Sequence, residues 1–194
     1  MIKNVLKIVF LGIVGFGGLV YLTAPEDRVV SKEQKRQVLN NLAYLPTHFE
    51  LIGEGNYFRK EVLFPKAEEK TIIVLNHDAL IVFNELDKYT NKDILLVANI
   101  SSTPWLIKKL AVDGKLEELY SNTKNKLIND SSGAVVRVLG LNNIIQNKYF
   151  VYQVKTDGSI NKSFEGDVKL DALQKGISVE EKAAILKTLV DKLK

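Results

Sequence analysis

YFVYQVKTDGSINKSFEG, residues 149–166, decides how this chain folds. Tyr149 to Lys155 is a run of aromatic and β-branched residues that suits a strand. Asp157-Gly158 follows it, and Ser159 to Phe164 returns. Asp-Gly between two such runs is a strong hairpin signal, because glycine accepts the positive φ that a tight turn imposes. The late part of the chain therefore adds antiparallel strands to whatever comes before.

Working upstream, the pattern changes to strands separated by helices. TIIVLN (Thr71–Asn76) and DILLVANI (Asp93–Ile100) are apolar, β-branched runs suited to buried strands. Between them, Ala79 to Tyr89 has helical periodicity through Leu80, Phe83 and Leu86. Pro104 opens another helix with Ser102 or Thr103 as its cap and Leu106, Ile107 and Leu110 on its apolar face; Gly114 is expected to break it before a second piece, Leu116 to Tyr120. Lys126–Asn129 is short enough for an edge strand, Asp130 to Gly133 a turn, and Ala134 to Leu139 a short helix or strand. Further upstream, HFELI and NYFRKEVLF around Gly53-Glu-Gly55 read as a hairpin over His48–Phe64, and Pro65 to Lys70 as a loop.

Downstream, Asp167 to Lys175 suits a helix ended by Gly176. Ser178-Val-Glu-Glu181 is a capping box, and Ile185, Leu186, Leu189, Val190 and Leu193 form one helical stripe. Strands joined through helices pair in parallel, and the late hairpin pairs antiparallel. The expectation is an α/β fold: a mixed sheet with helices on both faces.

The N-terminus differs in kind. Lys3 and Lys7 precede an uncharged run, IVFLGIVGFGGLVYLTA (Ile8–Ala24), about 26 Å long as a helix. Val5 and Leu6, with Lys7 snorkelling, extend it toward the ~30 Å hydrocarbon core. A cleaved signal peptide shares this layout, but Pro25 after Ala24 and the large Leu22 make a poor cleavage site, which favours an uncleaved transmembrane anchor. Lys3 and Lys7 before the span, with Glu26 and Asp27 after it, place the N-terminus in the cytoplasm. In a Gram-negative cell this is a single-pass inner-membrane protein with a periplasmic domain, or a periplasmic protein if the leader is cleaved. The segments are an anchor over 1–24, a juxtamembrane linker and helix over 25–46 (the helix from Ser31 to Tyr44), a globular domain over 47–176, and a C-terminal amphipathic helix over 177–194.

Composition excludes several functions. None of the 194 residues is cysteine, so there is no disulfide, thiol peroxidase, thiol–disulfide oxidoreductase or thiolate metal site. With Lys3 and Lys7 set aside, 25 basic residues face 23 acidic ones, with no clustered basic face for nucleic acid. Two histidines without HExxH-type spacing give no zinc site, and no cofactor motif is present.

LINDSSGAVVRVLGLNN (residues 127–143), followed by the opening stretch, resembles the thioredoxin-like superfamily, nearest the redoxin branch that includes TlpA-type membrane-anchored proteins and peroxiredoxins. The resemblance lies in strand Leu127–Asp130, Gly133, a helix ending in Leu139-Gly140, strand Tyr149–Lys155, turn Asp157-Gly158, and an edge strand ending Phe164-Glu-Gly166; it spans about Thr71 to Lys175. It implies a thioredoxin-like sheet, with a reactive cysteine just after the first central strand and a cis-proline just before the hairpin. Here those places hold Asn76-His77-Asp78-Ala79 and Lys148-Tyr149, and no proline follows Pro104. None of the family's catalytic residues carries over.

The carboxyl ends of central strands are where open α/β sheets bind ligands. Asn76, His77 and Asp78 follow the first of them, and Ser101, Ser102, Thr103 and Trp105 the second. His77 could act as an acid, base or ligand; alternatively Asp78 caps the following helix beside a surface histidine. The hydroxyls could face His77, or cap the Pro104 helix; Trp105 is either core or a partner anchor. The expected function is binding: an accessory or assembly factor for an envelope complex with a protein partner. The alternative is a small-ligand binder or non-thiol enzyme using a cleft near His77, Asp78 and Ser101–Thr103.

Overall fold

The computed structural model describes residues 40–54, 56–66, 68–101, 113–142 and 145–193. The apolar run over 1–24, the expected helix from Ser31 up to residue 39, and the Pro104 helix with Ser102, Thr103 and Trp105 lie outside the described residues. Among the described residues no helix is long and apolar enough to cross a membrane.

Asn41 opens a single 3-10 turn, Leu42–Tyr44, its side chain accepting from Ala43 N at 2.9 Å. Strands β1 (His48–Glu50) and β2 (Tyr57–Arg59) pair antiparallel as the expected hairpin. The second strand stops early, however, and Lys60–Leu63 form a helical turn, α1. The reason is burial: Leu63 and Phe64 are both in the core while Val62 is exposed. A strand puts neighbouring side chains on opposite faces, whereas a helical turn can bury two in succession.

The main sheet has five strands: β3 (Lys70–Leu75), β4 (Ile94–Ala98), β5 (Leu127–Asn129), β6 (Lys148–Val154) and β7 (Ile160–Asp167). Their spatial order is β5-β4-β3-β6-β7. β3, β4 and β5 run parallel, while β6 pairs antiparallel with both β3 and β7. β6 and β7 are the hairpin expected from residues 149–166, with Gly158 at φ +82° in the turn and Asp157 Oδ1 accepting from Ser159 N at 2.8 Å. A register shift between Val151 and Tyr152 marks a bulge. The short strand expected over Lys126–Asn129 is β5, at one edge of the sheet.

The central strands bury both faces, which is why they read as continuous apolar runs. Ile73, Leu75, Leu96, Ala98, Tyr149 and Val151 belong to one core cluster, with Leu80, Phe83, Leu116 and Leu189 from the helices. Ile72, Val74, Leu95, Val97, Phe150 and Tyr152 belong to the other, closed by Phe49, Leu51, Leu63, Val135 and Val136. Helices α2 (Leu80–Phe83), α3 (Asp113–Tyr120) and α6 (Val179–Lys192) cover the first face; α1 and α4 (Ala134–Val138) cover the second. This is the thioredoxin-like layout that the resemblance implies: a mixed sheet with helices on both faces.

Three helical expectations are corrected. The segment from Ala79 to Tyr89 is not one helix but a 3-10 turn (His77–Ala79), α2, and a second 3-10 turn (Leu86–Lys88). Its buried residues, Ala79, Leu80, Val82, Phe83 and Leu86, keep helical spacing, and the winding tightens to 3-10 on either side of α2. Gly114 is itself helical, α3 beginning before Leu116 at Asp113, while the Pro104 piece lies outside the described residues. The helix expected over Asp167–Lys175 shrinks to α5 (Ala172–Lys175), because Asp171 sits at φ +61°, outside helical geometry. By contrast α6 has both halves of its capping box, Glu181 N to Ser178 Oγ and Ser178 N to Glu181 Oε2, each at 3.1 Å. Its stripe faces inward: Leu186 and Leu189 are fully buried, with Ile185, Val190 and Leu193 packed around them.

Gly166, the end of the Phe-x-Gly pattern, lies beside the Tyr149 ring, and a Cβ there would overlap that ring. Tyr149 in turn stacks at a tilt on Phe83, centroids 5.0 Å apart. The glycine is required by packing, not by its own backbone angle.

Candidate functional site

The carboxyl ends of β3, β4 and β5 converge on a buried polar network. Asn76, immediately after β3, is 3 % exposed. It accepts at Oδ1 from Asn99 Nδ2 at 2.8 Å and donates from Nδ2 to Ile145 O at 2.7 Å. Asn99, immediately after β4, accepts from Ser101 Oγ at 3.2 Å. Ser101 also lies against the turn after β5, where a Cβ on Gly133 would come within 2.9 Å of the serine Cβ. Gly133 itself has φ +67°. The structure thus brings Asn76 and Ser101 together through Asn99, which sequence reasoning passed over. Its place directly after β4 was the available signal.

Asp78 is 2 % exposed and does not cap the helix that follows it. Its two carboxylate oxygens accept from Asp171 N at 2.9 Å and Leu173 N at 3.1 Å, holding α5 to the start of the His77–Ala79 turn. The expected local cap is therefore a long-range clamp. A buried carboxylate needs partners, and two main-chain amides supply them. Asp130 does the same for α4, accepting from Val135 N (3.1 Å) and Val136 N (3.0 Å). Burial holds its carboxyl above the usual carboxylate range, and those amides offset part of the shift.

His77 is half-buried between Asn76 and Asp78. Burial pulls its imidazole below the usual histidine value, with the Asp78 charge opposing. The other histidine, His48, lies on β1, its Nδ1 3.1 Å from Thr47 Oγ1. Among the described residues no three His, Asp or Glu side chains gather to hold a metal ion.

The thioredoxin-like resemblance puts a thiol at 76–79 and a proline near 148–149. In this chain those two segments are hydrogen-bonded to each other: Asn76 N to Lys148 O at 3.1 Å, Asp78 N to Gln146 O at 2.9 Å, and the Asn76 side chain to Ile145 O. Tertiary bonds join main chain and amide where a redoxin presents reactive sulfur. A groove of about 470 Å³ lies elsewhere: Leu42, Lys60, Phe64 and Lys155 line it near the β6–β7 turn.

No protein-family model and no curated protein sequence matches the chain. Among solved structures it is similar to the putative thiol:disulfide interchange protein DsbE from Chlorobium tepidum, with 10 % identity over 77 % of this chain and 96 % of that one, at a TM-score of 0.41. It is also similar to AhpC from Enterococcus faecalis (14 % identity, 75 % and 87 % covered, TM-score 0.40) and from Mycobacterium tuberculosis (12 %, 78 % and 88 %, 0.37). The architecture rests on the strand register described above.

Proposed function

We propose that this protein is a membrane-anchored periplasmic domain of thioredoxin-like fold that works by binding a protein partner, as an accessory or assembly factor of an envelope complex. One observation carries the reading: where a redoxin holds its thiol and proline, this chain holds Asn76, Asp78 and the 145–148 segment in mutual hydrogen bonds. The basic-then-apolar N-terminus supports the anchored, exported placement. The absence of cysteine removes thiol chemistry as a competing explanation for the fold.

The test has two arms. Full-length protein is produced in a Gram-negative host, and protease is added to intact cells and to spheroplasts. The domain should be cleaved only in spheroplasts, and the protein should stay with the membrane after a high-pH wash. A domain protected in spheroplasts sinks the topology. A photo-cross-linker placed at exposed Tyr57 or Val179 should then yield a reproducible envelope adduct. Absence of any adduct from either face, with topology intact, overturns the binding role.

A further inference from the structure

The groove of about 470 Å³ beside the β6–β7 turn has two walls. Leu42, Ala43 and the turn Lys155–Gly158 form one, joined where Leu42 N donates to Gly158 O at 2.9 Å. The other is α1 and the loop that follows it, through Lys60, Glu61, Phe64 and Pro65. Two lysines strap the walls together. Lys60 crosses from the second wall to the first, its Nζ donating to Leu42 O at 3.0 Å, which places the ammonium between the walls. Lys155 makes the converse crossing, its Nζ 3.1 Å from Glu69 Oε1.

The straps differ in charge. Lys155 faces a carboxylate that neutralises it. Lys60 is half-buried, faces a neutral carbonyl, and forms no ion pair among the described residues. The acidic groups close to it along the walls are engaged elsewhere. The Glu61 carboxylate lies 3.6 Å from Arg59 Nε, and Asp157 Oδ1 accepts from Ser159 N at 2.8 Å inside its own turn. An ammonium has three donors, so Lys60 keeps two of them and an uncompensated charge. Taking a charge partly out of water is costly unless an opposite charge meets it. Between the straps the lining is apolar, with Leu42, Ala43, Phe64 and Pro65. Phe64 is buried, its ring tilted against Phe49 with centroids 6.0 Å apart, so the core holds that surface in place. The volume falls within the range of about 300–1,000 Å³ typical of small-molecule sites, which pair apolar walls with a few placed polar groups.

We propose that this groove binds a small monocarboxylate with an apolar body. Its carboxylate accepts from Lys60 Nζ, and its body lies on Leu42, Phe64 and Pro65. Lys60 supplies the one charge left to satisfy, since Lys155 is already paired, and this makes the ligand a monoanion. The site owes nothing to the membrane anchor or to the protein partner proposed above.

The full chain in detergent micelles is titrated with hexanoate, hexanol and hexylamine, which share an apolar body and differ in charge. The readout is the backbone amides of Ala43, Phe64 and Gly158 in proton–nitrogen correlation spectra. Hexanoate should give saturable shifts confined to the groove, with half-saturation about tenfold below that of hexanol, the gain expected from a charge-assisted hydrogen bond. Hexylamine should give none. Lys60→Met keeps the apolar stem; it should raise the half-saturation of hexanoate to that of hexanol and leave hexanol unchanged. Lys60→Arg should retain the preference for the acid. The three probes on the unaltered chain decide the question even where Lys60→Met fails to fold. Acid and alcohol saturating alike, no saturable shift with hexanoate, or shifts centred outside the groove would each overturn the proposal. So would a Lys60→Met chain that still prefers the acid about tenfold.

Discussion

Asp78→Asn is the most informative single change in this molecule. The carboxylate is 2 % exposed, and each oxygen accepts one main-chain amide, at 2.9 Å from Asp171 and 3.1 Å from Leu173. Hydrogen bonds to a charged acceptor contribute about 1.5–3 kcal/mol each. Asparagine keeps the shape and one acceptor, but it turns an NH2 toward the second amide, so a donor meets a donor in a buried place. The expected loss is about 2–4 kcal/mol, a large share of the ~5–15 kcal/mol that holds a domain together. Asp78→Ala removes both acceptors and should lose at least as much. Urea unfolding of the full chain in detergent, followed by circular dichroism, gives the change as a lower midpoint at constant slope. Hydrogen exchange should show amides 171 and 173 losing protection before the central strands do. If Asp78→Asn moves stability by less than ~0.5 kcal/mol and leaves both amides protected, the clamp is not what Asp78 is for. The ligand-binding reading of the 76–78 loop would then gain by the same measurement.

Gly166→Ala drives a Cβ into the Tyr149 ring and should lose about 1–3 kcal/mol, the usual range for overpacking; a midpoint within error of wild type would show that the ring yields freely. Leu189→Ala should lose about 2–5 kcal/mol, because that side chain is fully buried against the sheet; an unchanged midpoint would mean the α6 stripe serves a partner instead. His77 titrates below 6.5 in the folded protein, so the unfolded chain takes up its proton first as the pH falls. The stability tied to neutral His77 is therefore intact above pH 6.5 and is lost as the pH drops through and below it. His77→Gln should flatten that part of the stability–pH curve, and parallel curves for the two proteins would contradict the burial argument.

The parts of the fold written in short-range patterns were legible. Asp157-Gly158 between two strand-like runs specifies a hairpin whatever surrounds it, and Ser178 with Glu181 satisfies its own helix terminus. The apolar runs at β3 and β4 announced burial on both faces, and helices between them implied parallel pairing. Lys60 to Phe64 misled because its residue types suit a strand, while the need to bury Leu63 and Phe64 side by side is a tertiary demand. The stretch from Ala79 to Tyr89 shows helical spacing, a pattern that does not say where the winding tightens to 3-10.

The candidate site divides in the same way. That Asn76, His77 and Asp78 stand at the carboxyl end of a central strand follows from strand position alone. That Asp78 reaches the amides of Asp171 and Leu173 does not, because those partners lie far along the chain and carry no motif. Asn99 falls inside the expected strand Asp93–Ile100, and its bond to Asn76 comes into view only once β3 and β4 stand side by side.

The order of strands in the sheet has a kinetic consequence. β3 lies at the centre, and one of its two partners, β6, comes from far downstream: Lys70 pairs with Val154 and Leu75 with Tyr149. Everything between, including β4 and β5, must be folded out of the way before that ladder closes. Non-local pairing of this sort slows folding, since the entropy of a long loop is spent before the contacts that reward it form. A nascent chain shorter than about the start of β6 exposes one whole edge of a strand whose last four residues, Ile72 to Leu75, are apolar and buried in the finished fold. Any step that holds the polypeptide extended until its C-terminal third has emerged would protect that edge, and truncations ending before Lys148 should be insoluble even though every helix on the first face but α6 could still form.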